Sequence, residues 1–256
     1  MKQLHSVQLK ILEQMLFARA LKYTDMKPEK DMENNVFQYH LDQLIELGHL
    51  AKTDHLYTLT NSGKEYANRI DTEKTEFAMQ AKLSAWICAS RINKNKVQYL
   101  IYTRLKHPFY GCQGFTTGKI RFGETVIEAA KRELMEETSL IGKPKLVVIK
   151  HFRVFDNNKK NLQIYAEGGN LQGVRQPAET LLEDKFMFLC LVKDPKGKII
   201  SNKEGLHEWV NEDNLDKYIT KPFESKEMFW QELNLAKKFN GHIQFIEEDH
   251  SNNRHF

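Results

Sequence analysis

The sequence has few cysteines, no long apolar run and no low-complexity segment. Its three cysteines, Cys88, Cys112 and Cys190, lie far apart and lack the close spacing of metal-binding cysteine motifs. This excludes a disulfide scaffold and a cysteine-bound zinc site, and it suits a reducing cytoplasm. No apolar run approaches the roughly 20 residues that a membrane helix needs, and residues 1–10 lack the apolar stretch of a secretory signal. We therefore expect a cytoplasmic protein with no membrane partner.

The chain also lacks a strong charge of either sign, since its formal net charge is +4 over 256 residues. Residues 1–75 contain 10 Lys and Arg against 11 Asp and Glu, whereas residues 76–256 contain 28 against 23. The first segment is therefore not a basic nucleic-acid-binding arm. Apolar residues make up 41% of the chain, which is enough for a core and excludes disorder over the whole length. The length fits one large domain or two modest ones.

Helical periodicity dominates the N-terminal segment, where Ser6 is placed to cap the first helix. The elements predicted after it are a helix, two strands and a further helix, at residues 33–47, 50–52, 56–60 and 61–69. This order, together with the segment from Tyr57 to Gly63, resembles a winged helix-turn-helix. The resemblance implies a winged helix-turn-helix domain at residues 1–72.

A charged segment at residues 71–82 is predicted to be a linker, and beyond it strands alternate with loops. The strands are predicted at residues 83–91, 97–104, 146–155, 162–166, 186–192 and 207–210. A glycine-rich loop at residues 111–123 leads into a helix that ends near Thr138, and a last helix is predicted at residues 225–239. Residues 246–256 have no periodicity and are predicted to form a flexible tail.

Three carboxylates are the most informative feature of the helix that follows the glycine-rich loop. Glu133, Glu136 and Glu137 project on one side of that helix because they are three and four positions apart. Like charges at this spacing repel one another, and the single positive charge of Arg132 does not balance them. A hard divalent cation would, because Mg²⁺ prefers carboxylate oxygens, waters and substrate phosphates.

The same stretch resembles the Nudix box, the signature of a family of pyrophosphate-cleaving hydrolases. The matching residues are Gly118, Glu124, Arg132, Glu133, Leu134, Glu136, Glu137 and Leu140. Ser139 stands where the family has Gly, in a left-handed turn that would cost Ser on the order of 1 kcal/mol. The resemblance implies an α+β chain in which the winged helix-turn-helix domain precedes a Nudix α/β/α sandwich at residues 79–245.

The resemblance also implies residue roles. Glu133, Glu136 and Glu137 would hold Mg²⁺, with Mn²⁺ as the alternative, while Arg132 would orient them. Glu124 and the backbone near Gly118 would complete the metal site from the loop side. A further carboxylate usually comes from outside the box, and we expect Glu204 as metal ligand or water-activating base, with Glu183 in reserve. The candidates for substrate binding are Arg104, Phe115 and Lys119; for Arg104 a surface role, and for Phe115 a packing role, stay open.

Two functions, alone or combined in one bifunctional chain, are compatible with these motifs. The first is an enzyme that hydrolyses the pyrophosphate bond of a nucleoside diphosphate linked to a group X, releasing a nucleoside monophosphate and phosphorylated X or pyrophosphate. The second is a transcription regulator whose Nudix domain senses a nucleotide while the winged helix binds DNA. Residues that could contact DNA are Asn35, Gln38, Gln43 and Lys52. The helix that would read DNA is acidic, so homodimer or other protein contacts are the alternative role for this domain.

Overall fold

A computed structural model describes residues 4–29, 31–72, 75–107, 109–155 and 181–250. The chain divides into two compact units, Met1–Gln80 and Ala81–Phe256, and each is described by itself below. Mixed helices and strands occur in both, which confirms the α+β class. Within the described residues, no helix is long and apolar enough to cross a membrane.

The N-terminal unit packs three helices with a small antiparallel sheet. Its elements are α1 (Ser6–Leu16), β1 (Leu21–Lys22), a 3-10 turn (Tyr23–Asp25), α2 (Asn34–Glu46), β2 (Leu50–Thr53), β3 (Leu56–Leu59), α3 (Asn61–Ala67), β4 (Ile70–Asp71) and β5 (Glu76–Phe77). The sheet has the order β1-β3-β2, so the first strand pairs with the last. The apolar faces of the helices meet in one core around Ile11, Phe37 and Leu41, which are all fully buried.

Two local predictions in this unit are wrong. The cap of α1 is His5, whose ring accepts the Val7 N–H while Gln8 reaches back to the His5 backbone. Ser6 is therefore the first residue of the helix, because imidazole supplies the acceptor that a hydroxyl usually provides. The predicted linker at 71–82 is partly ordered, since β4 and β5 pair in antiparallel register.

The second unit is built on one eight-stranded sheet. Its elements are β6 (Lys82–Asn93), β7 (Lys96–Arg104), β8 (Gln113–Gly114), β9 (Thr116–Lys119), α4 (Val126–Thr138), β10 (Lys145–Phe155), β11 (Leu181–Lys193), β12 (Gly205–Asn211), α5 (Leu215–Tyr218), α6 (Lys226–Lys237) and β13 (Gln244–His250). The sheet order is β12-β7-β6-β11-β10-β13, with β8 on β7 and β9 on β6. The strand predicted at residues 162–166 lies outside the described residues.

Alternation along the strands places a helix layer on each face of this sheet. Ala85, Ile87 and Ala89 of β6 pack on one face with Ala130 and Leu134 of α4. The residues between them, Trp86 and Cys88, belong to the other core, which also contains Phe229 and Leu233 of α6. The sheet is therefore buried between two helical layers, and its two faces position α4 and α6 separately.

The last strand corrects the predicted tail. Residues 244–250 form β13, which runs parallel to β10 from Val148↔Gln244 to Val154↔His250. Charged pairs accompany the backbone ladder, because Arg153 binds Asp249 and His151 contacts Glu247. The sequence of such a strand does not show the apolar alternation by which strands are predicted, because its acidic side chains pair with charged residues of the neighbouring strand.

Candidate active site

The helix α4 holds the carboxylates because both of its ends are fixed. Thr125 caps the start, where its hydroxyl accepts the Glu128 N–H and Glu128 reaches back to the Thr125 backbone N–H. Ser139 ends the helix in the left-handed conformation, with φ 59° and ψ 19°, which confirms the predicted turn. Along the helix Glu133 is buried, Glu137 is half-buried and Glu136 is exposed. The three carboxylates therefore form a graded path from the interior to the surface.

Arg132 is at the centre of the carboxylates. Its Nε and Nη2 donate to both oxygens of Glu124 at 2.7 and 2.8 Å. Its Nη1 donates to Glu133 at 2.6 Å and to Glu136 at 3.0 Å. The backbone carbonyl of Lys119 accepts a further Nη2 bond at 2.9 Å. We call Arg132 and these three glutamates the outer cluster. Only a planar guanidinium can serve these acceptors at once, so the cluster fixes the orientation of the helix and the loop.

Glu124 has no oxygen free of a strong donor. Besides the two Arg132 bonds, it accepts the backbone N–H of Arg121 at 3.0 Å. The hydrogen bonds from Arg132 lower the pKa of Glu124 from its ordinary value of 4.5 to about 2. The side chain does not line the main cavity. This geometry favours the supporting role over the role of metal ligand for Glu124.

Gly118 allows the loop to lie against the buried carboxylate. It pairs with Ala85 through the β9–β6 ladder, and a Cβ at position 118 would lie 1.7 Å from the carboxyl carbon of Glu133. Any side chain there would displace the carboxylate. Burial raises the pKa of Glu133, although the bond from Arg132 acts in the opposite direction. The loop backbone and the carboxylate are therefore in contact only because residue 118 is Gly.

The segment before β12 brings further groups to the same place. Asn202 donates from Nδ2 to Glu137 at 2.8 Å, and its Oδ1 accepts the Glu204 N–H at 2.7 Å. The Glu204 carboxylate pairs with the ammonium of Lys106, and this hydrogen bond lowers the pKa of Glu204. The structure thus places Glu204 beside the box carboxylates, at the position where the sequence suggested a further acid.

A cavity of about 670 Å³ connects these groups. Glu133, Glu136, Glu137 and Glu204 line it together with Gly118, Arg104 and Lys119. The reserve carboxylate Glu183 also lines it, but its oxygens contact Lys82 at 3.5 Å and Lys185 at 3.2 Å. All the predicted residues from the second unit reach the cavity except Glu124, Arg132 and Phe115.

Phe115 is not a substrate contact. Its side chain is fully buried and lies against Trp86 and Phe229, with ring centroids 5.7 and 5.0 Å apart. The residue sits between β8 and β9, where alternation turns it into the α6 core rather than the cavity. The prediction of substrate binding for Phe115 is therefore wrong, and its packing role is confirmed.

Comparison with known families identifies this arrangement. A family model described as NUDIX domain matches residues 82–231, which is more than half of the chain. The chain belongs to the Nudix hydrolase family. This confirms the resemblance read from the box, and it places the outer cluster within the matched segment.

Individual Nudix relatives are more distant. An ADP-ribose pyrophosphatase of Methanocaldococcus jannaschii is 32% identical over 90 residues, which are 35% of this chain and 53% of that protein. The chain thus spans about half the length of the curated relative it matches. The NUDIX domain of Shewanella oneidensis NrtR, solved with ADP ribose, is 13% identical at a TM-score of 0.47, covering 70% of this chain and 98% of that one. A MutT protein from Bacillus halodurans is 17% identical at a TM-score of 0.48, covering 67% and 91%.

The donor set of this Nudix site fits a divalent cation. Glu124, Glu133 and Glu136 contact Arg132, and Glu136 also contacts Arg121 at 3.2 Å. Glu137 accepts from an amide and pairs with no cation among the described residues. Four carboxylates with two guanidiniums leave an excess of two negative charges, all on hard oxygen ligands. The residues present therefore suit Mg²⁺ or Mn²⁺ better than a soft metal.

Sequence reasoning missed several residues of the Nudix cavity. Lys106 and Asn202 orient the acids, and nothing in their local sequence distinguishes them from surface residues. Glu224 and Glu232 line the far end of the cavity, where both bind the buried ammonium of Lys150. Lys150 did carry a signal, since it alternates with apolar residues on the buried face of β10.

The residues proposed to contact DNA are engaged locally. Gln38 donates to Asp42 at 2.7 Å and Gln43 donates to Glu46 at 2.8 Å, so both amides are paired with acids of α2. Asn35 accepts the Val36 N–H at 2.8 Å. The ammonium of Lys52 on β2 lies 5.2 Å from the centre of the Tyr57 ring. The acidic face of α2 offers few groups that attract phosphate.

Proposed function

We propose that the chain is a divalent-metal-dependent pyrophosphohydrolase acting on a nucleoside diphosphate linked to a group X. The observation that carries the proposal is the excess of two negative charges among the four box carboxylates, three of which line the cavity. A structural helix face has no need of such an excess, because like charges this close destabilise it. A bound Mg²⁺ would neutralise substrate phosphates and lower the pKa of a coordinated water.

The chain's own residues support the rest of the reaction. Glu133, Glu136 and Glu137, with the backbone at Gly118, would hold the metal, and Arg132 keeps these groups in place. Arg104 and Lys119 line the cavity and would attract the diphosphate. Water would add to one phosphorus as the bridging P–O bond breaks, and the departing phosphate would take the electron pair.

Glu204 is the proposed proton acceptor. Lys106 pairs with its carboxylate at the cavity wall, and an ionised carboxylate in that position can accept the proton that the attacking water loses. Its oxygen lies on the cavity wall that also carries Glu137. Glu183 is a weaker candidate, because two lysines already pair with it.

A matched pair of variants tests the proposal. The purified chain is incubated with ADP-ribose, nucleoside triphosphates, NADH and dinucleoside polyphosphates, with Mg²⁺ or with EDTA. ADP-ribose comes first because the curated relative is named an ADP-ribose pyrophosphatase. We expect metal-dependent release of a nucleoside monophosphate from one class. Glu133→Gln should lower that rate by roughly a hundredfold or more.

Glu128→Gln is the control, since it changes the same residue type on the same helix and keeps the capping box. It should retain full activity. If Glu133→Gln were as active as Glu128→Gln, the box carboxylates would not hold the catalytic metal and the proposal would fail.

We also propose that the N-terminal unit is a winged helix used for protein contact, including a homodimer. Its antiparallel order β1-β3-β2 beside three helices supports the first part, and the acid-paired amides of α2 support the second. Tyr39, 61% exposed on α2, offers a surface suited to protein. Gel-shift titration with genomic fragments should show no salt-sensitive complex, and sedimentation should show a dimer. A sequence-specific complex with DNA would contradict this proposal and favour the transcription-regulator hypothesis.

A further inference from the structure

The far end of the cavity contains a second group of charges, which we call the inner cluster. The Lys150 ammonium lies 2.6 Å from Glu224, 2.7 Å from Glu232 and 2.5 Å from Glu248. Lys150 is 1% exposed, so the charge is wholly buried. Burial alone would lower the pKa of Lys150, but Glu224 and Glu232 outweigh it and raise that pKa.

In this cluster the N–H donors of Lys150 are all used, whereas the carboxylates still have free acceptor positions. An ammonium has three N–H groups, and Lys150 has three carboxylate partners, so it has no donor left for another molecule. Each carboxylate can accept about four hydrogen bonds, so the two that reach the cavity, Glu224 and Glu232, keep unused lone pairs even though they also share a hydrogen bond with each other. The Lys150 ammonium occupies the point where the three carboxylates converge, so we assign no metal there.

The charge of the cluster is also unbalanced. Three carboxylates face one ammonium, and burial raises the pKa of Glu232 well above its usual range, which relieves only part of the excess. The ammonium of Lys185 also lies near the Phe152 ring, at 5.0 Å, but it pairs with Glu183 at 3.2 Å and so adds no net charge. A group that enters this end therefore meets negative potential inside an aromatic wall formed by Trp86, Phe152, Phe223 and Phe229. Such surroundings favour a flat or apolar body that carries hydrogen-bond donors, and they oppose an anion.

Part of the cluster lies outside the segment that the family model matches. The family model ends at residue 231, whereas Glu232 follows it directly and Glu248 is on β13.

We propose that the inner cluster is a selectivity subsite: Glu224 and Glu232 accept hydrogen bonds from the uncharged, donor-bearing end of the substrate and reject an end that carries a further phosphate. The inference rests on the proposed function for the position of the diphosphate near the outer cluster. The donors could be the amino edge of a base or the hydroxyls of a sugar. Lys150 is a positioning residue, since it holds the carboxylates and does not itself reach the cavity.

Binding of products tests the subsite without hydrolysis. The full chain with Mg²⁺ is titrated calorimetrically with AMP, with IMP, which lacks the amino group, and with ribose 5-phosphate. Glu224→Gln should lower the affinity for the preferred ligand roughly tenfold, the loss expected when a hydrogen bond to a charged group is removed. Glu227→Gln changes an exposed glutamate three residues further along the chain, and this variant should bind as the wild type does.

The two sources of donors give different results. If a base amino edge binds, AMP should bind about tenfold more tightly than IMP, and Glu224→Gln should abolish that difference. If a sugar binds at the inner cluster, AMP and IMP should bind with equal affinity, and Glu224→Gln should instead bind ribose 5-phosphate more weakly. Unchanged binding of all three ligands in both Glu224→Gln and Glu232→Gln would overturn the subsite.

A measurement on the unaltered chain covers the case in which the variants fold poorly. Ribose 1,5-bisphosphate should bind at least tenfold more weakly than ribose 5-phosphate, because one phosphate must then face the inner cluster. Equal or tighter binding would contradict the proposal. Since no pyrophosphate bond is cleaved in these titrations, a chain that discriminates among them but hydrolyses nothing would refute the proposed function and leave the subsite standing.

Discussion

The outer and inner clusters solve the same electrostatic problem with different parts of the chain. Each surrounds one cation with three glutamates. The outer glutamates come from one loop and two adjoining turns of α4, whereas the inner ones come from the segment just before α6, from the middle of α6 and from β13. A charge cluster formed by residues close together in sequence can therefore be recognised as a motif, whereas a similar cluster formed by residues far apart in sequence cannot.

The clusters also differ in their exposure to water. The Arg132 side chain is 16% exposed and the Lys150 side chain is 1% exposed. Water can therefore screen the outer charges in part, whereas the inner charges depend on one another. Breaking the inner cluster should cost more, and this expectation can be tested by removing each cation in turn.

Replacing the inner cation should have the largest effect. Lys150→Met leaves three carboxylates without their buried counter-charge, and we expect a loss of about 3–5 kcal/mol in the free energy of unfolding. Urea denaturation followed by Trp fluorescence measures it. Lys145→Met, at the exposed start of the same strand, should change little. Adding Glu224→Gln and Glu232→Gln to Lys150→Met should recover part of the loss; no recovery would mean that lost packing, and not charge, explains it.

Replacing the outer cation should have a smaller effect. Arg132→Lys keeps the charge but loses the fork that binds Glu124 with two nitrogens, and we expect a loss of about 1–2 kcal/mol by urea denaturation. Arg121→Lys, on a side chain that is 62% exposed, should cost only about 0–0.5 kcal/mol. If Arg132→Lys cost as much as Lys150→Met, the contrast between the clusters would be wrong.

The outer cluster should show its charge in the pH dependence of stability. The folded pKa of Glu124 is about 2 against an ordinary 4.5, so its contribution is present above pH 4.5 and is lost as the pH falls through 2. Glu124→Gln lacks this contribution. We expect it to melt ~2–4 °C below the wild type at pH 7, the shift for about 1 kcal/mol in a domain of this size. The gap should narrow from pH 5 to pH 2, and a widening gap would refute the assignment.

The smallest effect is expected just beyond the outer cluster. Ser139 has φ 59°, which strains a residue with a Cβ, and Ser139→Gly should raise the free energy of unfolding by about 0.5 kcal/mol once the greater unfolded-state freedom of Gly is included. Ser139→Ala should give no gain, because the Cβ remains. Equal gains in both variants would show that the serine hydroxyl, and not the backbone, is the source of strain.

Much of the second unit could be predicted from periodicity, because the apolar residues of β6, β7 and α4 recur within each element at the period of a strand or a helix. The outer cluster could be predicted because Arg132 and its partners lie within a short segment. The inner cluster could not, since Glu224 and Glu232 are 74 and 82 residues from Lys150. A lysine on the buried face of β10 signals that counter-charges exist somewhere, but it does not say where.

Errors in the sequence reading arise where tertiary context overrides local chemistry. Phe115 sits in the loop expected to touch substrate, and only the pairing of β9 with β6 shows that it turns into the core. The strand β13 escaped prediction because its second half is a run of acidic residues, 247–249, with no alternation of apolar and polar residues. In both cases the strand or core that determines the structure lies far away in the sequence, so a pattern of neighbouring residues does not predict it.

The parallel pairing of β13 with β10 has a consequence for the order in which the domain assembles. Parallel pairings that join distant residues form late, because a large loop must close before any contact rewards it. His151 and Glu247, which meet across this pairing, are 96 residues apart. On a ribosome, Lys150 would emerge well before the last of its carboxylates. We expect the outer cluster to form early in folding and the far end of the cavity to become ordered only when the final strand docks.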